Sequence, residues 1–300
     1  MMDAGDGPMT TTTTTDTFNR AQNRNRLKSC RHGQMLFNGT DRFIGRSLDL
    51  YGEWAEAELE LLALFVKPGD VVIDVGANLG THTVFLAQRA GTAGRVYAFE
   101  PQRIVFQLLC ANLALNGLDN VHAFQAAVSR QPGTILVPDV AYAAGGNYGG
   151  VALAETGVAG ADAADATGAG ERVPVMTLDA LGLDRCRVLK VDVEGMELDV
   201  IDGARALIAR TRPVVYVENN DAARSPALIA RLLELDYHLF WHVSPFFNPR
   251  NYLSNQDNQF GDLVDLNMIG VGAALAPAFA RFPRVTGPAD SWQALQERLR

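Results

Sequence analysis

The sequence predicts a doubly wound α/β domain. Its mostly parallel, seven-stranded sheet is expected to end in an antiparallel C-terminal edge pair, a Rossmann-like arrangement. Three observations carry that expectation. Short apolar, β-branched runs alternate with helical periodicities through most of the 300 residues, an order that needs a parallel sheet with helices on both faces. The run at 70–80, DVVIDVGANLG, passes from strand to helix through a glycine-bearing turn. Such a turn lets backbone approach a ligand and presents free helix N–H groups to it. Acids also stand at the ends of four of the five predicted parallel strands, where sheets of this kind bind ligands.

Taken in order, residues 1–20 are small, polar and repetitive, too poor in apolar side chains for a core, and are expected to form a disordered arm. Residues 21–50 read as an N-terminal extension. Trp54, Ala57, Leu61, Leu64 and Phe65 then recur at helical spacing until Pro68-Gly69 ends the segment. The first strand, Val71-Val72-Ile73, closes at Asp74, and a helix follows over 81–90. A second strand, 95–100, stops at Pro101. The next helix carries Val105, Leu108, Leu109 and Leu113 on one face and closes at Asn116-Gly117, a common helix stop. The third strand is predicted as one run, 121–128.

The alternation breaks at 139–171, a stretch of Gly, Ala and Asp without a period. It reads as a flexible insertion between two short strands near 134–137 and 173–177. Regular order resumes with a strand over 187–195 and a single helix bearing Val200, Ile201, Ala204, Leu207 and Ile208. Then come a strand after Pro213, a helix over 227–235, a strand over 237–243, an Asn-rich loop at 244–262 and a strand over 263–271. No helix separates the last two strands, so they are expected to pair antiparallel. The ligand-binding domain is thus expected over 51–275, with 276–300 as a tail.

Composition narrows the function classes. A net charge of −8, 48% hydrophobic and 20% charged residues suit a soluble globular protein and argue against a nucleic-acid footprint, which needs a basic face. The mildly basic run Arg20 to Arg31 reads as a solvated arm. Cys30, Cys110 and Cys186 are scattered and read as reduced thiols, Cys110 packed within a helix. The N-terminal residues lack the pattern of a signal peptide, and no apolar run approaches the ~20 residues of a membrane span. A cytoplasmic protein, without membrane or nucleic-acid partners, is the expectation.

The candidate cofactor residues are Asp74, Gly76, Asn78, Gly80, Glu100, Gln125 and Ala126. The spacing Gly76-x-Asn78-x-Gly80 departs from the dinucleotide pattern G-x-G-x-x-G. An acid two residues before the first glycine suits a cationic ligand, such as S-adenosylmethionine, better than a pyrophosphate. Asn78 is tolerable in the turn because Asn adopts left-handed backbone more readily than most residues. Glu100, at the end of the adjacent strand, is placed to accept both hydroxyls of a ribose, through charge-assisted bonds on the order of 1.5–3 kcal/mol each. His82, early in the following helix, reads as structural or as facing the cofactor.

Lys190, Asp192 and Glu194 are the candidate catalytic residues. With a period of two they share one strand face, an expensive arrangement for a central strand. Asp192 or Glu194 would orient or deprotonate an acceptor hydroxyl, or the two would hold a divalent cation such as Mg²⁺ with further oxygen ligands. The bland alternative is a buried Lys190–Asp192 pair with Glu194 at a helix N-terminus. Glu197 reads as a capping residue, and no separate metal-ligand set is assigned.

With these residues in place, the chain resembles the FkbM family of S-adenosylmethionine-dependent methyltransferases. The stretches that carry the resemblance are VIDVGANLGTHTVFLA, GRVYAFEP, VPVMTLDAL and LKVDVEGMELDVIDGA, within roughly 54–220. It implies a class I methyltransferase fold with the cofactor across the first two strand ends, and O-methylation of a sugar, glycan or secondary metabolite. Gln125-Ala126 departs from the related pattern, which often has an acid there for the adenine amino group; Gln125 would accept that bond through its amide oxygen. The partner implied is a small-molecule or glycan acceptor, for which the Asn-rich loop offers amides and aromatics. A nicotinamide-dependent oxidoreductase and a non-catalytic cofactor-binding protein are the alternatives.

Overall fold

The computed structural model describes residues 24–140, 142, 145–150, 158–159 and 169–299. The predicted arm and much of the predicted insertion lie outside these residues. The described chain opens with an antiparallel hairpin, β1 (Asn25–Cys30) and β2 (Gly33–Asn38), followed by α1 (Ile44–Leu50) and α2 (Glu56–Ala63). Then β3 (Val71–Val75), α3 (Thr81–Ala90), β4 (Arg95–Phe99), α4 (Arg103–Leu115) and β5 (Val121–Phe124) alternate as expected. A small second sheet contains β6 (Ala127–Val128), β7 (Gly133–Pro138), β8 (Val158–Ala159) and β9 (Gly170–Met176). The remaining elements are β10 (Val188–Val191), α5 (Glu197–Asp202), α6 (Arg205–Thr211), β11 (Val214–Glu218), α7 (Ser225–Glu234), β12 (His238–Pro245), β13 (Val264–Val271), β14 (Arg284–Val285) and α8 (Trp292–Leu299).

The main sheet runs β14-β12-β13-β11-β10-β3-β4-β5. Its five strands from β11 to β5 pair parallel. β13 lies antiparallel between β11 and β12, which gives the expected antiparallel pair, and β14 adds an eighth strand beside β12. The chain winds outward from β3 to β5 and then returns to β10 on the other side of β3. The crevice for a ligand in such a sheet opens at that reversal, beyond the strands' carboxyl ends.

Alternation along the central strands builds two cores. Ile73, Leu189 and Val215 face α5, α6 and α7, with Ile201, Leu207 and Ile229 packed on them. Val72, Val188 and Val214 face the other way, against Leu61 and Leu62 of α2 and Leu86 of α3. The strand β10 is buried throughout, as a central parallel strand covered on both faces should be.

Three expectations are corrected. The run predicted as one strand over 121–128 divides after Phe124, because Ala127-Val128 pairs with β9 in the second sheet. The strand predicted to reach 195 ends at Val191. The helix predicted through Val200 to Ile208 breaks into α5 and α6 at Gly203-Ala204. Backbone contact explains the break: a Cβ on Gly203 would lie 2.1 Å from the Ser129 carbonyl oxygen. In addition Cys110, on α4, is exposed rather than packed.

That contact generates a test. Gly203→Ala should destabilise the protein by about 1–3 kcal/mol through forced overpacking. Gly272→Ala, where a Cβ would meet nothing within 4 Å, should shift stability by less than about 0.5 kcal/mol. Urea denaturation of the two variants checks this.

Candidate active site

The site is assembled where the turns after β3, β4 and β10 meet. The N–H groups of Gly76 and Ala77 both donate to the Phe99 carbonyl, at 3.0 and 2.9 Å, which locks the first turn onto β4. Gly76 has φ +78°, and a Cβ there would sit 1.6 Å from the Asp192 carbonyl oxygen. No other residue type fits. The glycine therefore lets the turns after β3 and β10 touch, which brings Asp192 beside the turn.

Glu100 is 4% exposed and faces the resulting cavity. Its Oε2 accepts from the Asn78 N–H at 3.0 Å and its Oε1 from the Gln102 N–H at 2.8 Å. Burial pushes its carboxyl up to about 7 despite those two donors, with Asp192 and Asp74 adding to the rise. Asn78 adopts φ +49° and lines the cavity with Gly76. The cavity has a volume of about 380 Å³. Phe99, Ala126 and Val128 give it an apolar slot beside Glu100.

Four predicted residues stand elsewhere than expected. Asp74 is wholly buried beneath the turn, not in the cavity; its Oδ2 accepts from Thr83 Oγ1 at 2.6 Å and its Oδ1 faces Lys190 Nζ at 3.4 Å. Gly80, φ +96°, serves packing: a Cβ would lie 2.7 Å from Leu109 Cδ1. Gln125 does not line the cavity either, because its Nε2 donates to Glu171 Oε1 at 3.2 Å. Lys190 is 1% exposed and also lies outside the cavity lining. It bridges Asp74 to Asp192, whose Oδ2 it meets at 3.2 Å. Burial alone would lower the Lys190 ammonium, but Asp192, Asp74 and Glu58 hold it well above the usual lysine range.

Asp192 and Glu194 do line the cavity, though not as residues of one strand face. Both follow the end of β10, and Glu194 takes left-handed backbone, φ +52°. Glu197 caps this turn by accepting from the Gly195 N–H at 2.8 Å. Burial, then Asp192 and Glu197, push the Glu194 carboxyl up to about 7. Two further acids join them: Glu218, one of the strand-end acids that the sequence reading counts, and Asp265, which that reading did not single out. Glu218 ends β11 and Asp265 begins β13. Desolvation and the surrounding carboxylates raise Glu218 well above its ordinary range and Asp265 to about 9.

Part of the lining is aromatic. Phe43, Trp54 and Phe246 supply it, with ring centroids of Trp54 and Phe246 5.0 Å apart and of Phe43 and Phe246 5.8 Å apart. These contacts seat the predicted Asn-rich loop over the cavity through Phe246. Glu58, 3% exposed, also belongs to the lining, meets His82 Nε2 at 3.1 Å and accepts from Asn267 Nδ2 at 3.1 Å. His82 is thus held by a buried carboxylate and also touches the cavity. Gly149 and Gly150 reach in from the predicted insertion, beside Asn78 and Glu194 respectively.

Residues 74–239 match the profile of the methyltransferase FkbM domain. That is more than half of the chain, and the protein belongs to this family. Methyltransferase sdnD of Sordaria araneosa is 32% identical over 155 residues, which cover 44% of this chain and 59% of that protein. The hexuronic acid methyltransferase AglP of Haloferax volcanii is 29% identical over 169 residues, 53% of this chain and 59% of that protein. The chain thus spans less than two thirds of the length of either relative. A crystal structure of methyltransferase FkbM from Methylobacillus flagellatus aligns with a TM-score of 0.41 at 18% identity, covering 71% of this chain and 50% of that one. Among the described residues no helix is long and apolar enough to cross a membrane.

Two outcomes follow from the charges. Lys190→Met should destabilise the protein by about 3–5 kcal/mol, because it strands the buried Asp74 carboxylate. The double variant Asp74→Asn with Lys190→Met should recover most of that loss, as read by chemical denaturation. The raised carboxyls also set a pH dependence. At these carboxyls the folded state binds protons more tightly than the unfolded chain, so the stability they contribute is full below the ordinary carboxyl range and is lost as pH rises from there through about 7 to about 9. The melting temperature should therefore drop between about pH 5 and about pH 9, and Glu218→Gln should flatten that drop.

Proposed function

We propose that this protein transfers the methyl group of S-adenosylmethionine to a hydroxyl oxygen of a sugar, glycan or other secondary metabolite. The observation that carries the reading is one cavity lined by Glu100 and by Asp192 and Glu194. Membership of the FkbM methyltransferase family supports it. The residues fit the cofactor. Glu100 spends one acceptor position of each oxygen on backbone donors, and a carboxylate has about four, so it retains capacity for two ribose hydroxyls. The apolar slot of Phe99, Ala126 and Val128 suits a flat base. A cavity of about 380 Å³ lies in the range of small-molecule sites, roughly 300–1,000 Å³.

When bound, S-adenosylmethionine supplies an electrophilic methyl group. The chain's own residues supply alignment and charge control. Glu100 would fix the ribose, and the backbone of Gly76 to Asn78 would lie against the ligand. Asp192 and Glu194 would face the acceptor and set the ionisation of its hydroxyl. The wall of Phe43, Trp54 and Phe246 would take the apolar face of a sugar ring and shield it from water. The name of the AglP relative is consistent with a sugar-derived acceptor, which this reading extends to the present chain.

The test is isothermal titration with S-adenosylhomocysteine, run beside NAD⁺. Micromolar binding of the first alone is expected, with Glu100→Ala weakening it by roughly 10–100-fold, as loss of charge-assisted hydrogen bonds implies. Binding of NAD⁺ instead would favour the oxidoreductase reading. Full turnover in Asp192→Asn and Glu194→Gln would remove those two residues from the reaction.

A further inference from the structure

The cavity gathers more carboxyl groups than methyl transfer alone accounts for. Carboxylate oxygens of Asp192, Glu194 and Glu218 lie within 4.8 Å of one another, and Asp265 lines the same cavity. They come from three separate segments: the turn after β10, the end of β11 and the start of β13. Like charges gathered from distant parts of a chain repel, and Lys190 is already shared between Asp74 and Asp192.

Glu218 supplies an independent sign of a missing ligand. The residue is 7% exposed. Its Oε1 accepts from Asn220 Nδ2 at 2.7 Å, whereas its Oε2 is buried with no hydrogen-bond partner among the described residues. Buried polar atoms are normally satisfied, so an orphaned carboxylate oxygen calls for a counter-ion or a donor. The donor set is oxygen alone, which selects a hard cation over zinc or copper. Around Mg²⁺, with bonds of about 2.0–2.1 Å, bound oxygens stand about 2.9 Å apart when adjacent and about 4.1 Å apart when opposite. Movements of up to about 1 Å per side chain would close a cluster of this spread onto such an ion.

We propose that Asp192, Glu194 and Glu218 together bind one hard divalent cation, Mg²⁺ or Mn²⁺, whose remaining positions are taken by water or by the acceptor's oxygen. The inference rests on reading this cleft as the methyl-transfer site. It names the means by which the acid pair sets the acceptor's ionisation: a divalent cation beside a hydroxyl favours loss of its proton to solvent. The competing arrangement is that the carboxyls share protons and bind no ion.

The full chain, stripped with EDTA, is titrated with MnCl₂ near neutral pH while free Mn²⁺ is followed by its paramagnetic resonance signal. One Mn²⁺ per chain should bind, and excess Mg²⁺ should displace it. Glu218→Gln and Asp192→Asn are near-isosteric, and each should weaken Mn²⁺ at least tenfold while S-adenosylhomocysteine affinity stays within about twofold. A cooperative thermal melt verifies that each variant folds, and if Glu218→Gln does not, Asp192→Asn carries the comparison. Absence of saturable Mn²⁺ binding to the wild-type protein overturns the proposal, as does equal binding by the folded variants. Mn²⁺ bound by a protein that ignores S-adenosylhomocysteine upholds the cation site and overturns the methyl-donor reading.

Discussion

The contact between Gly76 and the Asp192 carbonyl fixes the geometry on which the site depends. Two neighbouring parallel strands end there, and their turns come closer than any side chain on Gly76 would allow. The approach has consequences in both directions. On one side it sets the Gly76–Asn78 backbone against Glu100, whose two backbone hydrogen bonds hold a carboxylate at the cavity wall. On the other it carries Asp192 and Glu194 to the same cavity. A ligand held by Glu100 is thereby within reach of acids that belong to a different crossover of the sheet.

That arrangement concentrates charge, and the fold manages it by division of labour. Lys190 lies beneath the surface and neutralises Asp74 and part of Asp192. The pair stays out of the cavity and acts as its foundation. Above it, Glu194, Glu218 and Asp265 form no salt bridge among the described residues, and burial and neighbouring carboxylates push them toward protonation. A purely structural floor would do better with apolar side chains. The excess of acid is a standing cost in stability, which is typical of sites shaped for chemistry.

Much of this was legible in the sequence. The strand–helix alternation predicts the parallel sheet, and of the residues singled out around the first turn, Gly76, Asn78 and Glu100 line the cavity. The errors have separate causes, and the first is that periodicity describes an element's interior, not its end. Asp192 and Glu194 looked like members of one strand face because alternation persists for three residues after the ladder stops at Val191. Asp74 looked like a ligand residue because sequence cannot show that Lys190, more than a hundred positions away, already claims it. Asp265 was invisible for a topological reason. The search for acids at strand ends looks at carboxyl termini, but β13 runs antiparallel and meets the site with its first residues. The aromatic wall joins Phe43, Trp54 and Phe246, residues about 200 positions apart, and no local pattern connects them.

A crystal structure of the protein with S-adenosylhomocysteine tests the central claim most directly, namely that one cleft presents a cofactor to the acids after β10. The account predicts both ribose hydroxyls on the Glu100 carboxylate, the base between Phe99 and Val128, and the sulfur directed toward Asp192 and Glu194. A ligand that leaves Glu100 uncontacted, or whose sulfur points away from those acids, would contradict it.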